Sequence, residues 1–365
     1  MKLTVGIVGL PNVGKSTLFN ALTKNSVSAE NYPFCTIEPS VGVVPVPDKR
    51  LETLSSISQS KKTIPAIIEF VDIAGLVKGA SAGEGLGNKF LSNIREVEMI
   101  AEVVRIFDDP DIIHVSGVAD PLGDIEVINL ELIIADQETV SKRLNTIGRD
   151  AKRGDKEAVT EAALLEKMLQ HLEAGRLAET FPTTEKEAGS IKSLHLLTMK
   201  KILYVLNKKN GAYNFDEQND GRWQELMTFM KNTNSEYVLI DAGVEHELKD
   251  LEEDEKVEFR REYATLDSGI DSLITGCYRL LGLMSYFTTG EDETRAWTIK
   301  VGSTAPEAGS AIHTDFLEKF IRAQVVSFED LVNAGSLAKA RDVGKLRTEG
   351  KEYVVEDGDV IEFLI

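Results

Sequence analysis

The 365-residue sequence predicts an α/β fold with a mostly parallel, doubly wound sheet. Three observations predict it. A β-branched run, Thr4 to Val8, leads into a glycine loop and then into a helical pattern. A second apolar run, Ile67 to Asp72, also ends in a glycine-containing turn. A third, Lys201 to Leu206, delivers the polar quartet Asn207-Lys208-Lys209-Asn210.

The first loop, Gly9-Leu10-Pro11-Asn12-Val13-Gly14-Lys15-Ser16-Thr17, carries the GxxxxGKS spacing between a strand and a helix. Gly9 and Gly14 permit backbone angles that turn successive N–H groups, from Asn12 through Thr17, toward phosphate oxygens. The N-terminus of the following helix adds unpaired donors and partial positive charge. Lys15 is expected to reach the β and γ phosphates as the catalytic cation, and the Ser16 hydroxyl to ligate Mg²⁺. Asp72-Ile73-Ala74-Gly75 forms a DxxG pattern, in which Asp72 holds Mg²⁺ through water and Gly75 contacts the γ phosphate. Glycines recur from Leu76 to Asn88, as expected of a loop that orders around a γ phosphate. Thr36, within Asn31 to Pro39, is a candidate second protein oxygen for Mg²⁺.

From about Ile125 the pattern is helical, with Leu130, Ile133, Gln137, Val140, Leu144, Ile147 and Ala151 in steps of three and four. It breaks at Arg153-Gly154-Asp155 and resumes with Ala158, Ala162, Leu165, Leu169 and Leu172. Two such stretches around a glycine turn predict an antiparallel coiled-coil hairpin whose first arm projects on the order of 40 Å. From about Leu281 strands are expected at 296–301, 324–326, 353–355 and 361–365. A helix is expected at 314–321 and a tight turn at 356–360.

Composition narrows the function. A formal net charge of −19 argues against indiscriminate coating of nucleic acid, and nothing indicates DNA specificity. Basic residues nevertheless gather at Lys142-Arg143, Arg149 to Arg153 and Lys339 to Lys351, where RNA has a local face to meet. No apolar run approaches the roughly 20 residues of a membrane span, and the first residues lack a signal-peptide core. Cys35 and Cys277 have no ligand-like spacing, so neither a disulfide framework nor a zinc site is expected. A cytoplasmic location without a membrane partner follows.

These segments together resemble the YchF subfamily of Obg-related P-loop ATPases. The resemblance is carried by Gly9 to Thr17, Asn31 to Pro39 and Asp72 to Ala80, and farther on by Arg295-Ala296-Trp297-Thr298 and the stretch His313 to Gln324. It implies a P-loop G domain at 1–124 and 200–280, a coiled-coil insertion at 125–199 and a β-grasp-like TGS domain at 281–365. It also implies ATP hydrolysis and association with the ribosome, through RNA or ribosomal protein.

Some residues qualify those implications. Leu76 stands where Ras-type enzymes use glutamine to orient water, which predicts slow hydrolysis or an orienting group from elsewhere. His114 is one candidate. Asn207 and Asn210 stand where NKxD enzymes read the base, and relatives typically have glutamate last. An Asn210 carboxamide sets donor against donor on guanine, yet pairs with adenine N6 and N1. ATP is therefore expected over GTP. Asn12 suggests K⁺ beside the phosphates. The alternatives are a GTPase of the Obg-like class and a nucleotide-gated RNA- or protein-binding module with negligible turnover.

Overall fold

The structure, a computed structural model, describes residues 3–24, 40–73, 86–114, 117–251, 253–262 and 268–364. Its first sheet runs, in spatial order, Val41–Pro45, Ile67–Asp72, Thr4–Val8, Met99–Arg105, Lys201–Asn207 and Glu236–Ile240. Neighbours are parallel throughout, apart from the antiparallel pair Val41–Pro45 and Ile67–Asp72. Strands covered on both faces need apolar side chains at nearly every position. Thr4–Val8 is apolar after Thr4 and buried along its whole length, and Met99–Arg105 is equally buried although it carries Glu102 and Arg105.

Alternate side chains point to opposite layers. Val103 and Val205 join Leu18, Leu22, Leu273 and Ile274 from the helices Lys15–Lys24 and Gly269–Leu280. Val104 and Leu206 instead meet Phe215, Leu226 and Met230, the last two from the helix Gly221–Thr233. The strand order reverses at Thr4–Val8, and crevices at the carboxyl ends of strands at such a point are where open α/β sheets bind ligands. Asp72, the glycine loop, Arg105 and Asn207 all stand at that edge.

The predicted hairpin is present as helices Pro121–Lys152 and Lys156–Glu173. Asp120 caps the first by accepting from the Gly123 N–H, and Asp155 caps the second by accepting from Ala158. Thirty-two residues make the first arm about 48 Å long. Its base does not face its partner helix: Ile128, Leu132 and Ala135 pack into the sheet's core, and Ile125 joins the layer under Phe215. Only from Ile133 and Val140 outward does the seam with Leu165, Met168 and Leu172 begin. This rotation explains why Leu130, expected on the seam, is 56% exposed.

The second sheet runs Arg347–Glu349, Arg322–Ser327, Asp359–Leu364, Leu283–Thr289, Thr294–Lys300 and Thr63–Ile64. Leu283–Thr289 and the final strand lie side by side in parallel at its centre, a β-grasp-like arrangement. The expected strand at 353–355 does not form. The Tyr353 carbonyl accepts from Ala305 and the Val355 N–H donates to Ser303, so this backbone closes a turn and offers only one bridge, Thr304 to Val354. The expected helix shortens to Asp315–Lys319. Thr63–Ile64, far upstream in sequence, completes the sheet by pairing with Thr294 and Arg295.

Asp136 fastens the hairpin's base. It is fully buried and accepts from the N–H of Leu197 at 2.7 Å, the N–H of Thr198 at 2.8 Å and the Thr198 hydroxyl at 2.7 Å. Burial pushes its carboxyl up, against those three hydrogen bonds. Removing it orphans buried donors, each costing about 1–3 kcal/mol. Asp136→Ala is therefore expected to lower unfolding stability by about 3 kcal/mol in urea titrations, with Asp136→Asn losing less.

Candidate functional site

The loop after Thr4–Val8 is shaped by left-handed backbone: φ is 62° at Asn12 and 102° at Gly14. A Cβ on Gly14 would lie 2.3 Å from Asn207 Nδ2, so glycine is required for contact as well as for conformation. Gly9 is as constrained, since a Cβ there would come within 2.6 Å of the Val103 carbonyl. The Leu18 N–H donates to Gly14 O at 2.9 Å, which starts the helix directly behind the loop. Asn12 and Ser16 are exposed, Gly14 and Thr17 half-buried, and Val13 is buried as an apolar anchor.

Lys15 folds beneath this loop, 8% exposed, with Nζ donating to the Leu10 carbonyl at 2.6 Å. Burial pulls its ammonium down to about 8, and the charge of Asp72 opposes the fall. Burial also pushes the Asp72 carboxyl up, with Lys15 opposing. The two groups therefore sit in one electrostatic environment at the ends of neighbouring strands. The Asp72 N–H donates to Ser40 O at 2.9 Å and the Ile73 N–H to Ile7 O at 3.2 Å, which fixes the approach.

Asn207 is buried and has both ends of its carboxamide engaged. Nδ2 donates to the Val13 carbonyl at 2.8 Å, and Oδ1 accepts from the Ala242 N–H at 3.0 Å. It thus holds the glycine loop to the helix Ala242–Leu248. Asn210 stands exposed at the rim, its N–H donating to Asp241 Oδ2 at 2.6 Å. Lys208 is paired with Asp216 at 2.9 Å and Glu217 at 2.7 Å, and Lys209 with Asp109.

The segment leading to His114 is held from several sides. Arg105, wholly buried, donates to the carbonyls of Phe107 at 2.9 Å, Ile112 at 2.9 Å and Asp109 at 3.3 Å. Asn12 Nδ2 donates to the Ile113 carbonyl at 3.0 Å, so the loop and this segment touch. The His114 ring itself is buried, with Nε2 3.0 Å from Asp124 Oδ2 in the first turn of Pro121–Lys152. Burial raises the Asp124 carboxyl, and the His114 hydrogen bond opposes that rise. Thr36, Gly75 and Leu76 lie outside the described residues.

The donor set suits a polyphosphate with a hard divalent cation. It offers a glycine cradle that a Cβ would fill, a helix start, a buried ammonium, an exposed serine hydroxyl and a carboxylate. Sequence reasoning missed Arg105, which gathers the carbonyls of the segment just after it, Asp124, which engages the His114 ring, and Asp241, which holds the Asn210 main chain. An arginine closing a strand that is apolar apart from Glu102 was the available signal for the first.

Residues 4–139 match the family described as a 50S ribosome-binding GTPase, and residues 283–365 match the YchF-GTPase C-terminal family, described as a protein of unknown function. A Bacillus subtilis protein named ribosome-binding ATPase YchF is 52% identical over 363 residues, covering 100% of this chain and 99% of that one. An Escherichia coli O157:H7 protein of the same name is 48% identical at the same coverage. The solved structure titled Schizosaccharomyces pombe YchF GTPase is 38% identical, with a TM-score of 0.87, over 100% of this chain and 98% of that one.

The depressed Lys15 ammonium makes a pH prediction. Phosphate favours the charged amine, so triphosphate binding raises its pKa and takes up a proton wherever the free amine is neutral. Affinity measured by calorimetry is expected to be flat below pH 8. Above it, affinity falls by up to about tenfold per pH unit, with proton uptake visible across buffers of different ionisation enthalpy.

Proposed function

The chain belongs to the YchF family, and on that premise we propose that it is a Mg²⁺-dependent nucleoside triphosphatase that prefers ATP and works as a slow switch on the ribosome. The observation that carries the reading is the glycine loop with Lys15 buried beneath it beside Asp72.

In this reading the loop N–H groups from Asn12 to Thr17 bind the phosphate tail, and Lys15 turns from the Leu10 carbonyl to the β and γ oxygens. Ser16, Thr36 and, through water, Asp72 hold Mg²⁺, and Gly75 contacts the γ phosphate. Held there, the cation would supply charge neutralisation on the phosphate tail. The Gly9 turn keeps the backbone close enough to serve without an intervening side chain.

Asn207 supports base binding indirectly, because both its amide ends are committed to the loop and to Ala242. Base choice falls to Asn210, whose main chain is held by Asp241 while the residue is exposed at the rim. Leu76 offers no hydrogen bond to water, and His114 is engaged with Asp124, so intrinsic hydrolysis is slow. His114 acts on water only after its ring leaves Asp124. K⁺ beside Asn12 is the further cation in this scheme.

Ribosome association is supported by the relatives' name and by the projecting hairpin. Its basic residues are partly spent internally: Arg143 pairs with Glu161 at 2.6 Å and Lys142 with Glu138 at 3.4 Å. In the second domain Lys345 pairs with Asp330 at 3.1 Å. No helix among the described residues is long and apolar enough to cross a membrane. A cytoplasmic location fits a ribosome partner.

One steady-state assay tests the core of this. With Mg²⁺ present, ATP turnover is expected to exceed GTP turnover by roughly tenfold, the discrimination of one polar group left mispaired once the base covers Asn210. Replacing K⁺ by Na⁺ is expected to slow it, and Lys15→Ala to abolish it. Preference for GTP overturns the Asn210 reading, and equal rates in K⁺ and Na⁺ remove the second cation. Absence of Mg²⁺-dependent binding to either nucleotide overturns the whole proposal.

A further inference from the structure

The connection between Val41–Pro45 and Ile67–Asp72 is unusual. These strands are antiparallel neighbours, from Val41 opposite Val71 to Pro45 opposite Ile67. Such a pair is ordinarily closed by two to five residues. Here residues 46–66 intervene, and they are built into the other sheet. The helix Lys49–Ser58 buries Leu51 and Leu54 in one cluster with Phe287, Val326, Leu331 and Val360. Thr63–Ile64 adds a parallel strand beside Thr294 and Arg295. The Lys61 N–H donates to Glu291 O at 2.9 Å, the Thr294 N–H to Lys62 O at 2.9 Å, and the Ser60 hydroxyl to Gly290 O at 2.6 Å.

Arg50 locks the helix's start. Its guanidinium lies 2.7 Å from Asp48 and 2.7 Å from Asp357, with its carbon 5.2 Å from the centre of the Phe287 ring. Asp357 also accepts from the Ser285 N–H at 3.0 Å, so the same carboxylate is anchored in the second sheet's central strand. At the far end, the strand that leaves this segment terminates in Asp72, within the electrostatic reach of Lys15. One stretch of chain is thus fixed in the C-terminal sheet at its start and runs on to Asp72, which stands opposite Ile7 in the strand that leads into the glycine loop.

We propose that residues 46–66 are a mechanical coupler through which the C-terminal domain sets the position of Asp72, and that Arg50 is a positioning residue for the Mg²⁺ site. A partner that shifts the C-terminal sheet thereby changes Mg²⁺ affinity without touching the phosphate loop, whose own strand, Thr4–Val8, has no such tie among the described residues. The inference deepens the nucleoside triphosphatase reading and rests on Asp72 as a water-bridged Mg²⁺ residue.

The test uses the full chain and fluorescent ATP, titrated with Mg²⁺ and again in EDTA. Arg50→Ala and Asp357→Asn are each expected to raise the half-saturating Mg²⁺ concentration by about fivefold, the low end of typical coupling between sites. Affinity in EDTA stays at the wild-type value. Lys61→Ala, which removes an ion pair whose partners are 74% and 89% exposed, changes neither. Hydrogen exchange in both clasp variants is expected to quicken at Phe70 and Asp72 and to change less over Thr4–Val8, which Met99–Arg105 also holds. If Arg50→Ala unfolds, Asp357→Asn decides, because its carboxamide still accepts from Ser285. Unchanged Mg²⁺ dependence in a folded variant, or an equal loss in EDTA, overturns the coupler. Wild-type protein that binds ATP no better with Mg²⁺ than without it overturns the underlying site reading instead.

Discussion

The site depends on one buried carboxamide. Asn207 lies between the glycine loop and the start of Ala242–Leu248, with its donor on Val13 and its acceptor on Ala242. Neither contact can be surrendered without leaving a buried polar group unpaired, at about 1–3 kcal/mol each. Gly14 lacks a Cβ because that amide occupies the space. The loop therefore keeps its shape before any anion arrives, and its N–H groups need little reorganisation to serve one.

A second line of contacts runs from the loop to the hairpin. Asn12 touches the Ile113 carbonyl, His114 touches Asp124, and Asp124 lies in the first turn of the long arm. Beneath them Glu102 is fully buried, and neither carboxyl oxygen has a hydrogen-bond partner among the described residues. Burial, together with the neighbouring Asp124, holds its carboxyl well above the usual range. Unpaired polarity at the root of the long arm is a local cost that apolar packing of Ile128, Leu132 and Ala135 offsets. The hairpin is consequently an extension of the sheet's core at its base and a free-standing pair of helices only farther out.

The two sheets are likewise less separable than linear order suggests. Apolar side chains from 51–66 complete the C-terminal core, and Thr63–Ile64 completes its sheet. An edge strand supplied from elsewhere also covers main-chain groups that would otherwise be exposed for aggregation. The acidic body, at −19, leaves any meeting with RNA to basic residues that are partly paired within the chain.

The sequence by itself determined the phosphate loop, the Asp72 strand, the hairpin and the final strands, because these rest on local periodicity and on glycine where the backbone bends. Local pattern also suggested a strand at 353–355, but hydrogen bonding to 303–305 prevailed there. Only the tertiary structure decided that Asn207 holds the loop, that Asp124 engages His114 and that Arg50 reaches Asp357. It also turned Leu130 outward, since the sheet claims the opposite face of the helix base. For the polar contacts the reason is the same: partners separated by ten to about three hundred residues leave no periodic trace, and the fold assigns a polar side chain its role through whichever polar group it brings beside it.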